Sequence, residues 1–180
     1  MVHVKCKKKY GLDGLTCLWV YEGAVRKALL SLKYKFAFDI AKELSQIFME
    51  ALKFHDSYPI IHNSSVLVPI PTHPLRENWR GFNQSAEVGK LVARQMGWKF
   101  IPDLLLKRRI TTPQTELKSD ARKENIKGVF SLGSDYSLIP KDYCLVLFDD
   151  VWTTGSTLKE ACKVLKRAGA KSVWGLTIAR

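Results

Sequence analysis

The sequence has 180 residues, 46% of them hydrophobic, which is enough for one domain with its own core and excludes a disordered chain. Its formal net charge is +12, from 29 basic and 17 acidic residues. That leaves two readings open: an anionic partner (nucleic acid, a phosphorylated metabolite, or both), or plain solubility. No apolar run approaches the ~18–20 residues of a membrane span. The N-terminal "MVHVKCKKKYG" has no apolar signal-peptide region, so a cytoplasmic protein is expected.

In chain order, His3 and Cys6 are spaced like half a metal site but have no second pair, and they read as part of a tail. The four cysteines, Cys6, Cys17, Cys144 and Cys162, form no CxxC and are expected as reduced thiols. "GAVRKALLSLK" (23–33) places Val25, Ala28, Leu29 and Leu32 at helical spacing. A second helix is expected over 39–54, with Asp39 as its N-cap. "SVLVPIPT" (65–72) reads as a buried strand ended by prolines, and "NQSAEVGKLVARQMG" (83–97) as a helix closed by glycine.

Residues 107–127, "KRRITTPQTELKSDARKENIK", are polar, basic and weakly periodic. They read as a long exposed loop with some helix near its end, either a binding segment or a dispensable insertion. Order returns with the strand "YCLVLF", the helix "STLKEACKVLKRAG" and the strand "SVWGLTIAR". In that helix Leu158, Ala161, Cys162, Leu165 and Ala168 share one face, while Lys159, Lys163, Lys166 and Arg167 face water. Alternating strands and helices imply an α/β domain, a parallel sheet covered by helices on both faces.

The chemistry concentrates in "VLFDDVWTTGSTL" (146–158). Ligands of parallel α/β sheets bind beyond the carboxyl ends of the strands, and Asp149 and Asp150 stand at such an end. The helix that follows opens with N–H groups lacking intrahelical partners, so the turn before it suits an anion. Gly155 allows close backbone approach, and the hydroxyls of Thr153, Thr154, Ser156 and Thr157 add donors. The two carboxylates would repel a phosphate but suit sugar hydroxyls or a hydrated magnesium ion. Acids followed by an anion cradle describe a ribose phosphate. The competing structural reading is a capping box formed by Thr157 and Glu160, which would require neither the Asp pair nor four hydroxyls. A P-loop is excluded: "GFNQSAEVGKL" (81–91) has seven residues between its glycines and Leu after its Lys. No GxGxxG occurs either.

This stretch resembles the phosphoribosyl-pyrophosphate motif of the type I phosphoribosyltransferases, a hydrophobic strand, two acids and a TTG[ST]T turn. "YEGAVRKALLSLKYK", "VPIPTHPLRENWRGFNQ", "RITTPQTELKSDARKENIKGVF" and "GLTIAR" resemble successive blocks of the ComF family, phosphoribosyltransferase-like proteins named for bacterial competence. The resemblance spans roughly residues 18–180. It implies a Rossmann-like parallel sheet of the type I phosphoribosyltransferase fold with a small N-terminal helical hood. By domain, 1–17 would be a tail, 18–64 the hood and 65–180 the core, with a long loop at 107–127. It further implies that Asp149 and Asp150 hold ribose hydroxyls and that Thr153, Thr154, Gly155, Ser156 and Thr157 bind the ribose phosphate. Arg76 and Arg80 would face pyrophosphate, and Arg109, Gln114 and Arg122 would belong to a flexible loop over the site. Mg2+ would arrive with phosphoribosyl pyrophosphate rather than on direct protein ligands.

The reaction so implied is phosphoribosyl transfer to a nitrogen acceptor. The alternative is a non-enzymatic competence protein that contacts single-stranded DNA or a DNA-uptake partner through its basic surface. The chain also departs from the family. Its members commonly begin with a four-cysteine zinc module, of which only "HVKC" has a counterpart here, so zinc does not carry over. Trp152 stands where a smaller residue is expected, and either packs on a neighbour or narrows the ligand mouth. The chain is expected to lack the base-recognising elements that follow the last strand in many purine enzymes.

Overall fold

The computed structural model describes residues 2–4, 10–32, 38–55, 65–75, 81–109, 125–134, 136 and 143–180. Apolar β-rich runs build one six-stranded sheet from β1 (Val2–Val4), β2 (Gly14–Trp19), β3 (Ser65–Pro69), β4 (Lys99–Phe100), β7 (Cys144–Val151) and β8 (Ser172–Ala179). Their order is β1-β2-β8-β7-β3-β4. β1 pairs antiparallel with β2, and every other pairing is parallel. A parallel sheet must be covered on both faces, and the burial follows that rule: every residue of β3 is buried.

Alternating side chains feed two separate clusters. On one face, Leu67, Val146, Phe148, Trp174, Leu176 and Ile178 pack with α1 (Gly23–Ser31), α2 (Phe38–Lys53) and α3 (Gln84–Met96). On the other, Val66, Val68, Leu145, Leu147 and Val173 pack with α4 (Ser156–Arg167) and with a small antiparallel hairpin. That hairpin joins β5 (Leu105–Lys107) to β6 (Phe130–Leu132), Lys107 opposite Phe130. The parallel sheet flanked by helices agrees with the fold class read from the sequence.

α3 forms as its sequence predicts. Asn83 caps it, its Oδ1 accepting from the N–H groups of Ser85 and Ala86, and Gly97 ends it in the left-handed conformation. Gly89 lets it settle close on the sheet, since a Cβ there would stand 2.9 Å from Leu67 Cδ2 and 3.2 Å from Phe148.

Several boundaries differ from the sequence reading. α2 begins at Phe38, so Asp39 lies in its first turn instead of capping it. β3 stops at Pro69 although the apolar run continues; the Ile70 N–H still donates to the Phe148 carbonyl. β7 runs three residues beyond "YCLVLF", because Asp149 pairs with Thr177 and Val151 with Ala179 of β8. The expected boundary between 17 and 18 falls inside β2, whose partner is β8. Buried bonds tie these strands: Trp174 Nε1 donates to Thr16 Oγ1 at 2.9 Å, and Cys17 Sγ lies 2.8 Å from Thr177 Oγ1. The helices at 23–31 and 38–53 share one cluster with the sheet. No described helix is long and apolar enough to cross a membrane.

Candidate functional site

The sheet changes winding direction between β3 and β7. From β3 the chain passes through α3 to the outer strand β4, and from β7 it passes through α4 to β8 on the other side. α3 and α4 therefore lie on opposite faces, and the switch point, where sheets of this kind take ligands in a crevice, falls at the carboxyl ends of β3 and β7. Asp149 and Asp150, the last residues but one of β7, stand at that switch point.

Both carboxylates are partly buried and held by local bonds. Asp149 Oδ1 accepts from the Asp150 N–H at 3.0 Å and from Ser85 Oγ at 3.1 Å, which links β7 to the start of α3. Asp150 Oδ1 accepts from the Val151 N–H at 2.8 Å. Burial, and then the adjacent charge of Asp150, push the Asp149 carboxyl well above its ordinary range; the Asp150 N–H and the Ser85 hydroxyl offset this only in part. The pair is thus short of positive charge and donors, a deficit that sugar hydroxyls or a cation would relieve.

The turn after β7 is built around Gly155, the N-cap of α4, whose φ of 69° is left-handed. The indole of Trp152 covers its Cα on the side where a Cβ would project, so Trp152 packs on the turn itself and glycine is required twice over. Lys159 folds back over that indole, with Nζ 5.2 Å from the ring centroid, and donates to the Thr154 carbonyl at 3.3 Å. A glycine N-cap supplies no side-chain acceptor to the helix start, and the first turn of α4 carries no acidic residue. Thr154 Oγ1 and Ser156 Oγ lie 2.8 Å apart, and the Ser156 N–H reaches Thr154 Oγ1 at 3.4 Å. Thr153 is exposed, Thr154 and Thr157 are half-buried, and Gly155 and Ser156 are buried. The result is an electropositive helix start lined by hydroxyls, about which Lys159 is already folded.

The capping box considered for Thr157 and Glu160 does not form, because the helix is capped two residues earlier, at Gly155. Glu160 instead accepts from the Gly128 N–H at 2.9 Å through Oε1 and from Lys163 Nζ at 2.7 Å through Oε2. Arg109 Nη2 donates to the Gly128 carbonyl at 3.5 Å, and the Gly128 N–H in turn donates to Glu160 of α4. Arg76, Arg80, Gln114 and Arg122 lie outside the described residues.

Two contributors were not singled out in the sequence. Ser85 reaches Asp149, and Asn83 also donates through Nδ2 to the Ile70 carbonyl at 3.0 Å, fixing the exit of β3 against α3. Only the capping pattern around Asn83 hinted at either. Among the described residues no group of three or more His, Cys, Asp or Glu could hold a metal ion.

No family model matches the chain. The chain is 32% identical over 149 residues to competence protein F of Haemophilus influenzae, covering 80% of this chain and 63% of that protein. It is 30% identical over 142 residues to the DNA utilization protein YhgH of Escherichia coli, covering 79% and 61%. With competence protein ComFC of Streptococcus pneumoniae the identity is 29% over 175 residues, covering 97% and 71%. The chain spans roughly three fifths of the length of the first of these curated relatives. Among solved structures, adenine phosphoribosyltransferase from Trypanosoma brucei, in complex with AMP, pyrophosphate and ribose-5-phosphate, superposes with a TM-score of 0.43 at 14% identity, covering 86% of this chain and 67% of that one. The enzyme from Leishmania tarentolae gives 0.42 at 12% identity, covering 98% and 94%. Relatives named competence protein F, ComFC and YhgH thus align over most of the chain, in agreement with the ComF resemblance read from its sequence.

Proposed function

We propose that the crevice between β3 and β7 binds phosphoribosyl pyrophosphate with Mg2+, and that the protein transfers the phosphoribosyl group to a nitrogen acceptor with release of pyrophosphate. The observation that carries this reading is the juxtaposition at one strand end. Two donor-poor carboxylates at the end of β7 run directly into a hydroxyl-rich, electropositive helix start. A ribose phosphate has the matching order of groups, with ring hydroxyls for Asp149 and Asp150 and a phosphate for Thr153, Thr154, Gly155, Ser156 and Thr157.

In this reading Arg76 and Arg80 pair with the pyrophosphate, and Arg109, Gln114 and Arg122 belong to the segment that approaches the site. Guanidinium suits phosphate through paired donors. Two hard carboxylate oxygens without a protein cage suit an ion that keeps its waters and phosphate ligands, as Mg2+ does. When bound, Mg2+ would neutralise charge on the leaving pyrophosphate. The bond between ribose C1 and the pyrophosphate oxygen breaks, its electron pair leaving with pyrophosphate. The acceptor nitrogen bonds C1 and loses its proton. The protein's share is positioning and charge stabilisation of an oxocarbenium-like transition state.

Calorimetry of the wild type with phosphoribosyl pyrophosphate and Mg2+ tests the site. Binding is expected, and Asp149→Asn with Asp150→Asn should abolish it; equal binding by the double variant would refute the assignment. Transfer itself is read as pyrophosphate release across a panel of nucleobases.

A second reading is favoured by the net charge of +12 and by relatives named for competence and DNA utilization: contact with single-stranded DNA or a DNA-handling protein.

A further inference from the structure

Gln84 is the first residue of α3 and only 8% exposed, and among the described residues its Nε2 is the buried side-chain donor that finds no partner. Leaving an amide donor buried and unpaired costs on the order of 1–3 kcal/mol, so a folded protein that keeps one has a use for it elsewhere. The neighbours of Gln84 are fully engaged. Asn83 bonds the Ile70 carbonyl and the N–H groups of Ser85 and Ala86, and Ser85 bonds Asp149. The first N–H groups of α3 are thus capped from within, and the spare donor at this helix start is the Gln84 amide.

Its place in the fold narrows its target. Gln84 stands in the chain between Asn83, which fixes the exit of β3, and Ser85, which bonds Asp149 at the end of β7. Resting on the reading above, the ligand group lying between the β3 exit and the ribose hydroxyls is the pyrophosphate attached at C1. A neutral donor is suited to this position: it adds a hydrogen bond to a phosphoryl oxygen without drawing a cation onto Asp149 when the site is empty. We propose that Gln84 is a binding residue for the pyrophosphate portion of the substrate, donating from Nε2 to one of its oxygens.

The test uses Gln84→Met, which keeps the length of the side chain and removes its donor. Binding of phosphoribosyl pyrophosphate, inorganic pyrophosphate and ribose 5-phosphate, each with Mg2+, is measured by calorimetry, and thermal melting is followed without ligand. Affinity for the two pyrophosphate-bearing ligands should fall about tenfold or more, as for a lost bond to a charged acceptor. Affinity for ribose 5-phosphate should hold, and the variant should melt no lower than the wild type because no internal bond is lost. Unchanged pyrophosphate affinity, an equal loss for ribose 5-phosphate, or a lower melting temperature each overturns the role of Gln84. The first and third of these leave the ribose-phosphate site standing if the wild type binds its ligands. A wild type that binds none of the three overturns both that site and this inference.

Discussion

At Asp149 the needs of folding and of the proposed ligand pull in opposite directions. Its carboxyl is raised well above the usual range, first by burial and then by Asp150. The ordinary carboxyl of an unfolded Asp titrates near ~3.9. Below that pH the side chain is protonated in both states and contributes nothing. As pH rises from there through the higher folded value, the unfolded chain releases its proton first, and stability is progressively lost. Asp149→Asn removes that penalty while keeping the shape and an oxygen that can still accept from Ser85 and the Asp150 N–H. The variant is expected to melt higher than the wild type at pH 7, with the gap closing toward pH 4. For a domain of this size each kcal/mol corresponds to roughly 2–4 °C. Thermal scans across that pH range check it; a variant that melts lower at pH 7 would show that the carboxylate is stabilising where it stands. In the proposed site the same substitution should also weaken sugar binding.

At the scale of elements, α4 does two tasks with its two ends of one turn. Its start forms the hydroxyl-lined turn after β7, and Glu160, one turn further on, ties the helix to Gly128 beyond β5. Burial raises the Glu160 carboxyl, but the Lys163 ammonium and the Gly128 N–H outweigh it, and the net shift is downward. Glu160→Ala should cost about 1–2 kcal/mol, the scale of a charge-assisted bond to a backbone N–H in a largely buried site. Urea denaturation at pH 7 measures it. The sign of the shift sets the pH window: the contribution is present above the ordinary Glu range near ~4.3 and is lost as pH falls through the lower folded value. A loss of equal size at pH 3 would point to packing instead of the charged bond.

The same helix shows how far local sequence is legible. Its extent and buried face were readable from the 3.6-residue spacing of Leu158, Ala161, Cys162 and Leu165, all buried. Its start at Ser156 was readable too; only the cap was not, because Thr-x-x-Glu caps a helix only if no earlier residue can open it, and Gly155 can. Asp39 misled in a similar way, as acids serve the first turn of a helix as well as its cap. α3, read as 83–97, spans Gln84–Met96: Gly97 closes it as expected, and Asn83 proves to be its N-cap.

The whole molecule adds what no window of sequence contains. Residues 1–17 read as a tail because "VHV" and "GLTCLW" are short, and β2, on which β1 pairs, has its own partner β8 at the far end of the chain. Thr16 meets Trp174, and Cys17 meets Thr177, across nearly the full length of the sequence. Gln84 was invisible for the same reason, since an unpaired donor is a property of its surroundings. The acids and turn were legible because strand, carboxylates and helix start are contiguous.

Charge also becomes local only in three dimensions. Exposed Lys159, Lys163 and Arg167 succeed one another at four-residue steps along the outer face of α4, with Trp152 under Lys159 and Tyr10 5.7 Å from Arg167. Two cations resting on aromatic rings, with a third between them, form a strip that a nucleic-acid backbone can follow with bases against the rings. Lys163 is partly neutralised by Glu160, so the strip should bind weakly. The expectation is an affinity for single-stranded DNA that falls steeply with salt and survives in the Asp149→Asn, Asp150→Asn protein. Replacing Lys159, Lys163 and Arg167 by Ala should lower the log–log salt slope by about two, at ~0.7 per phosphate contact on a single strand. Fluorescence anisotropy over a salt series reads both. A slope unmoved by the triple variant would place the DNA-facing charge elsewhere, and binding lost with the two aspartates would make the nucleic acid a ligand of the crevice.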